Sequence, residues 1–269
     1  MATTLGWKVF NPPGPAFGKL YADWLEEWEK WLISDFPDRY NRGPVFFSRG
    51  VNCEHPYGRY VATGDKKLIM STKDAIFHVV IAWMDTSNTD RHLLTSQART
   101  NDVIGSALSF KPKVNNAKII RQNPKGPPEA ENFKVNYDEH LTVTREFTIT
   151  IPEYSDDDQS NDVNECRNLN SFLDHPIEPG DNLGVTAAYC LFIQPTEAGN
   201  YYLTSTGRAE NNYTTTTFLE IEVVEDEKDV QKQMIQNLIF KPTAAPTAVT
   251  TFNKVPSKEI EKVFDDLFK

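Results

Sequence analysis

The residues best suited to chemistry form an acidic segment in the second half of the chain. Carboxylates are the hard oxygen ligands that Ca²⁺ prefers. The spacing lacks the glycine and the final bidentate glutamate of an EF-hand loop, and an acidic loop on an acidic protein is commonly just solvated. A calcium site and a solvated loop are therefore both open, and no other cofactor is expected. The candidate ligands are Asp156, Asp157, Asp158, Asp162 and Glu165.

A second group combines ligand types at very short spacing. Cys53, Glu54 and His55 are consecutive, but a structural zinc site needs about four well-placed ligands. The favoured interpretation is therefore a turn before Pro56.

Catalytic residues are unknown from the sequence. Asp85 ends an apolar run and is followed by Arg91 and His92, yet a turn residue that caps its own backbone is the favoured interpretation. Ser106 lacks the Gly-x-Ser-x-Gly context of a nucleophile elbow, and no glycine-rich phosphate loop occurs. A non-enzymatic protein is favoured.

Charge and hydropathy exclude two classes of partner. The 28 basic and 38 acidic residues give a net charge of −10, which repels the phosphate backbone of nucleic acids. The longest apolar run, Ala75 to Met84, is about half of a membrane-spanning helix. We expect neither nucleic-acid binding nor membrane insertion. No secretory signal is visible, so we expect a cytoplasmic or virion- or particle-associated protein, with secretion left open.

The remaining elements are mostly strands. Residues 75–83 and 183–193 are nearly continuous apolar runs, which indicate strands buried on both faces. Residues 141–151 alternate apolar and polar side chains, which indicates one half-exposed strand of eleven residues. Residues 197–200 are interpreted as a hairpin turn. The sequence predicts a mainly β fold, a two-sheet antiparallel β-sandwich of jelly-roll-like type.

A helix is predicted over residues 17–35. Its apolar side chains recur at three- and four-residue steps, the spacing of one helical face: Phe17, Leu20, Trp24, Trp28 and Trp31. The polar side chains between them are expected to face water: Glu26, Glu27, Glu29 and Lys30. The aromatic stripe is either a stacking platform for sugars or bases or a face that packs on a sheet. The second interpretation is favoured, because large aromatic side chains dominate core burial.

The order of segments predicts a β domain with an appended tail. An extended lead-in (1–16) precedes the helix-bearing sandwich domain (17–226), and a helix (227–240), a Thr/Ala/Pro-rich linker (241–256) and a short amphipathic helix (257–269) follow. A helix this short needs a surface to pack on, which its own domain or a partner can supply. The candidate contact residues are Ile260, Val263, Phe264 and Leu267.

Several of these passages resemble a family of uncharacterised β-sandwich proteins from bacteria and archaea. The resemblance rests on residues 24–31, 43–50, 75–83, 186–193 and 198–204. It implies the sandwich fold and no assigned activity.

The leading functional hypothesis is a structural or interaction protein that forms homo-oligomers, or binds a protein partner, through residues 257–269. A carbohydrate-binding or carbohydrate-active sandwich is the first alternative, since 12% of the residues are aromatic. Calcium-dependent adhesion through residues 156–165 is the second.

Overall fold

The computed structural model describes residues 3–4, 6–12, 14–33, 44–48, 51–52, 67–86, 95–109, 114–122, 129–134, 137–151, 179–208, 214–226 and 228. The chain divides into two compact units, residues 1–230 and 231–269, and all described residues belong to the first. The predicted linker 241–256 and helix 257–269 lie outside the described residues, as does nearly all of the predicted helix 227–240.

The described part of the chain is mainly β. Its helices are α1 (Tyr21–Ile33), α2 (Ser96–Ser109) and α3 (Tyr137–His140). Its strands are β1 (Thr3–Thr4), β2 (Trp7–Phe10), β3 (Val45–Ser48), β4 (Val51–Asn52), β5 (Leu68–Ser71), β6 (Ala75–Thr86), β7 (Val114–Arg121), β8 (Glu129–Lys134), β9 (Leu141–Val143), β10 (Phe147–Ile151), β11 (Gly180–Pro195), β12 (Gly199–Arg208) and β13 (Thr214–Val224).

These strands form two mixed sheets. The first sheet has the order β1-β2-β11-β6-β3, with β9 and β10 also paired to β11. The second has the order β4-β13-β12-β7-β8, with β5 also paired to β13. The prediction of wholly antiparallel sheets is wrong at two places, because β3 pairs with β6 and β5 pairs with β13 in parallel.

The parallel pair in the first sheet follows from the path of the chain. Between β3 and β6 the chain contributes β4 and β5 to the second sheet and then returns. A parallel neighbour requires such a crossover, whereas a short hairpin returns antiparallel. The turn before β6 is closed by Asp74, whose carboxylate accepts hydrogen bonds from the backbone N–H and the hydroxyl of Ser71 at 2.7 and 2.9 Å.

β6 and β11 are buried on both faces, as their apolar sequences predict. Ala75, Phe77 and Val79 of β6 belong to a hydrophobic cluster with α1. Ile76 and Val80 belong to a different cluster, which also contains side chains from the second sheet. We call these two sides of the first sheet the helix face and the inner face.

The predicted eleven-residue strand 141–151 is interrupted. Val143 lies opposite Ala187 and Phe147 lies opposite Gly184, so three residues of this segment face two of β11. Such an extra residue is a β-bulge and reverses the face on which later side chains lie. Thr142 and Thr144 are buried before the bulge, but Phe147, Ile149 and Ile151 are buried after it.

The turn at residues 197–200 is not a hairpin. It connects β11 of the first sheet to β12 of the second, and β2 lies beside the end of β11, where Trp7 is opposite Pro195. The Trp7 ring packs edge-on against Tyr201 of β12, with the ring centroids 5.4 Å apart. The chain therefore leaves the first sheet at this turn.

Both long helices begin where local hydrogen bonds cap them. α1 begins at Tyr21 rather than at residue 17, because Phe17 and Gly18 have φ values of 49° and 80°, which lie outside the right-handed helical region. The Asp23 carboxylate accepts a hydrogen bond from the Leu20 N–H at 3.2 Å. Thr95 caps α2 by accepting a hydrogen bond from the Ala98 N–H at 3.2 Å.

Candidate functional site

Most of the residues proposed from the sequence as sites lie outside the described part of the chain. This holds for Asp156, Asp157, Asp158, Asp162 and Glu165, for Ile260, Val263, Phe264 and Leu267, and for Cys53, Glu54, His55, Arg91 and His92. Asp85 is described, near the end of β6, and its side chain is buried. Among the described residues, no group of three or more His, Cys, Asp or Glu side chains is placed to hold a metal ion.

The aromatic stripe of α1 is a core surface. Trp24, Trp28 and Trp31 are buried in the same cluster as Phe77 of β6 and Phe192 of β11. This agrees with the packing interpretation of the stripe. Leu20, which was expected to belong to it, lies before the helix and is 46% exposed.

The indole N–H groups of Trp24 and Trp28 are hydrogen-bonded within the protein. Trp24 donates to the carbonyl of Ala16, and Trp28 donates to the carbonyl of Ser48, each at 2.8 Å. The hydrogen bond from Trp28 to Ser48 connects α1 to β3. A sugar-stacking role would require exposed rings, so these indoles do not favour it.

His78 is a fully buried ionisable group on the inner face. Its side chain has no solvent exposure. Nδ1 lies 2.5 Å from the hydroxyl of Ser48 on β3, and Nε2 lies 2.7 Å from the hydroxyl of Ser205 on β12. The imidazole therefore joins three strands from both sheets.

The charge state of His78 follows from this environment. Burial lowers its pKa from 6.5 to about 3, so the ring is neutral at neutral pH. A neutral imidazole has one N–H donor and one acceptor nitrogen, and the two hydroxyls match them, one accepting and one donating. The site is complete without a carboxylate or a substrate.

Glu29 is the corresponding group on the helix face. The sequence prediction that it faces water is wrong, because its side chain is only 3% exposed. Thr186 of β11 donates a hydrogen bond to its Oε1 at 3.2 Å. Burial raises the pKa of Glu29 from 4.5 to about 7, and the Thr186 hydroxyl opposes this shift.

A buried thiol lies beside Glu29. Burial raises the pKa of Cys190 well above its ordinary value; the hydrogen bond with Thr142 opposes this effect and the Glu29 carboxylate adds to it. This thiol is therefore protonated at neutral pH and is a poor nucleophile. Glu29, Thr186, Cys190 and Thr142 form a polar group enclosed by α1, β9 and β11, which we call the Glu29 cluster.

A third polar contact lies under α2. Arg99, in the first turn of α2, forms an ion pair with Glu146 in the bulge between β9 and β10. Farther along α2, Val103 and Ala107 pack on Val185 and Ala187 of β11. The ion pair thus anchors the start of α2 to the bulged segment.

The sequence contained a signal for Glu29 that the aromatic stripe obscured. Tyr21, Leu25 and Glu29 follow one another at four-residue steps, and all three are buried. They form a second row beside the tryptophans on the same side of the helix. His78 carried a clearer signal, since it interrupts an otherwise apolar strand.

Comparisons with protein families, with curated proteins and with solved structures find no match to this chain. The resemblance to uncharacterised β-sandwich proteins therefore stays an expectation. No helix in the described ranges has the length and apolar character required to cross a membrane.

Proposed function

We propose that this protein is a non-enzymatic structural protein. In this proposal the two sheets pack face to face as a jelly-roll-like sandwich that serves as a rigid body. Residues 257–269 then bind a second copy of the chain and build a homo-oligomer or a particle-associated assembly.

The observation that carries the proposal is the bridge from Ser48 through His78 to Ser205. A catalytic base must come within hydrogen-bonding reach of the proton that it removes from a substrate. Both nitrogens of His78 are instead engaged by hydroxyls inside the core. A buried polar bridge with every partner satisfied favours one fixed arrangement of the strands it joins, which suits a structural body.

The contact segment is proposed from its sequence. Its apolar side chains fall at three- and four-residue steps, the pattern with which an amphipathic helix enters a groove: Ile260, Val263, Phe264 and Leu267. The preceding Thr/Ala/Pro-rich residues 241–256 suit an extended tether. Such a tether gives the segment reach to a neighbouring copy.

The test is the mass of the particle in solution. Light scattering of the full chain and of a chain lacking residues 241–269 measures the assembly state of each. We expect the full chain to form oligomers. The shortened chain is expected to form particles that contain fewer subunits. An identical assembly state in both chains contradicts the proposal.

A point variant separates a specific contact from a general effect of truncation. Phe264→Asp places a charge in the apolar stripe and is expected to reduce assembly as the deletion does. Lys262→Ala, in the same segment but outside the stripe, is the matched control and is expected to assemble like the unmodified chain. Equal assembly of the two variants contradicts the assignment of the stripe.

The two alternatives receive less support. Of the five tryptophans, Trp7, Trp24, Trp28 and Trp31 are buried, and Trp83 is partly buried against the inner-face cluster. A carbohydrate site would have to use the exposed part of Trp83 or other aromatic residues. The calcium hypothesis rests on residues 156–165, which lie outside the described part.

A further inference from the structure

Glu29 is enclosed at the boundary between α1 and the first sheet. The helix contacts β9, β10 and β11, and the Glu29 side chain reaches Thr186 of β11. Around it α1 buries aromatic rings: Tyr21, Trp24, Trp28 and Trp31. The carboxyl group is therefore shielded from water while α1 is packed on the sheet.

Burial of Glu29 favours the protonated carboxyl over the carboxylate, and the Thr186 hydroxyl opposes this preference only in part. The Thr186 hydroxyl supplies one hydrogen bond at 3.2 Å. Its neighbour Cys190 is a protonated thiol whose pKa is raised by burial. A carboxylate in such surroundings has lost most of its hydration and gained only one strong donor, which is costly, whereas a neutral carboxyl is tolerated.

The pKa of Glu29 is set by burial and by the Thr186 hydroxyl, and no cation is among the causes of its shift. Lys30 of α1 pairs with Glu26 at 2.5 Å, and Lys19, which precedes the helix, pairs with Glu27. β9 and β10 contain no titratable side chain. In the segment that joins those two strands, Arg145 is exposed and Glu146 is paired with Arg99.

Two other titratable groups lie near this face, and neither carries a positive charge. Cys190 of β11 experiences the Glu29 carboxylate as a repulsive neighbour. Tyr21, two turns before Glu29 in the same row of α1, donates its hydroxyl to the Phe10 carbonyl at 2.6 Å, and burial raises its pKa. Neither group offers Glu29 a positive partner.

We propose that α1 is a proton-dependent latch: it stays packed on the first sheet while the Glu29 carboxyl keeps its proton, and it opens more readily once that proton is lost. The proposal goes beyond the assembly role proposed above and does not depend on it, since it concerns only α1 and the sheet beneath.

The direction of the pH dependence follows from linkage. The pKa of Glu29 is about 7 when α1 is packed and near the ordinary 4.5 when it is open. A group whose pKa is higher in the closed state stabilises that state fully at a pH below the pKa of the open state. This stabilisation is lost as the pH rises through the pKa of the closed state. The latch therefore weakens between pH 4.5 and 7.

Hydrogen exchange of the α1 amides in the full chain measures the opening. After correction for the intrinsic pH dependence of exchange, we expect the opening equilibrium constant to rise roughly tenfold or more between about pH 5.5 and about pH 8.5. Glu29→Gln, which is neutral at every pH, is expected to flatten this dependence. A wild-type profile without pH dependence, or an unchanged profile in Glu29→Gln, overturns the proposal.

Two further variants control the experiment. Glu26→Gln removes an outward-facing carboxylate from the same helix and is expected to retain the wild-type pH profile. A flattened profile in this variant would assign the effect to general helix charge and overturn the proposal.

Thr186→Val removes the hydroxyl that lowers the Glu29 pKa, so the midpoint of opening is expected to move to higher pH. This variant tests the proposal even if Glu29→Gln does not fold. A pH midpoint of α1 opening that is unchanged or lower in Thr186→Val overturns the proposal.

Discussion

Each face of the first sheet buries an ionisable side chain, His78 on the inner face and Glu29 on the helix face, and the two are hydrogen-bonded in different ways. On the inner face, His78 is neutral and each ring nitrogen has a serine hydroxyl as partner. On the helix face, Glu29 has the Thr186 hydroxyl, and its pKa is raised to about 7 by burial. Burial can therefore leave an ionisable side chain neutral with both of its hydrogen-bonding atoms paired, as in His78, or shift its pKa to near neutral pH, as in Glu29.

The two groups also give opposite pH dependences. The pKa of His78 is lowered to about 3, so its contribution to stability is present above pH 6.5 and is lost as the pH falls. The contribution of Glu29 is lost as the pH rises through about 7. The inner face is thus weakened by acid and the helix face by base.

The largest effect is expected from removing the imidazole. His78→Leu leaves the hydroxyls of Ser48 and Ser205 buried without their partner, and each unsatisfied group costs about 1–3 kcal/mol. We expect a loss of about 3 kcal/mol in the free energy of unfolding, measured by urea denaturation.

A combined variant tests whether these three residues act as one unit. Adding Ser48→Ala and Ser205→Ala to His78→Leu removes the orphaned hydroxyls, so little further loss is expected. Losses that simply add across the three substitutions would show that the bridge does not exist as a unit.

A smaller effect is expected on the helix face. Trp28→Phe keeps an aromatic ring but removes the indole N–H that binds the Ser48 carbonyl, at a cost of about 1–2 kcal/mol. Urea denaturation measures the loss. Leu20→Ala, at a position 46% exposed, is the control and is expected to change stability by less than about 0.5 kcal/mol. Equal losses in the two variants would contradict the assigned bond.

The smallest effect is a difference in acid sensitivity. Between about pH 7 and about pH 5.5, protonation of His78 in the unfolded chain removes about 1 kcal/mol from the stability of the wild type, while Glu29 acts in the opposite direction in both chains. His78→Leu lacks the His78 contribution, so the stability advantage of the wild type over this variant should shrink by about 1 kcal/mol over the same range. Parallel stability curves for the two chains would show that His78 is not neutral in the folded state.

Several elements could be predicted because the pattern of apolar residues in their sequences indicates which side chains are buried. The apolar runs of β6 and β11 and the tryptophan stripe of α1 were identified from composition and period. The bulge at residues 144–146 was not predicted, because the apolar residues lie at odd positions both before and after it, and only the three consecutive polar residues Thr144, Arg145 and Glu146 interrupt the alternation. The extra residue is visible only in the pairing with β11.

The candidate functional residues were likewise only partly predictable from the sequence. Glu29 was assigned to solvent because it falls between the apolar residues of the aromatic stripe, as Glu26, Glu27 and Lys30 do, and a helix side can be assigned only when the surface beneath it is known. His78 was visible as a polar interruption, but its partners Ser48 and Ser205 are 30 and 127 residues away. Neither serine carried a local signal.

By itself the sequence determined that this is an acidic, mainly β chain with an aromatic helix at its start, because composition and hydrophobic period are local properties. Tertiary structure alone decided which strands run parallel, where the alternation changes face and which ionisable groups lie inside. These outcomes depend on contacts between residues far apart in the chain, and the chemistry of His78 and Glu29 is set by the partners that those contacts bring.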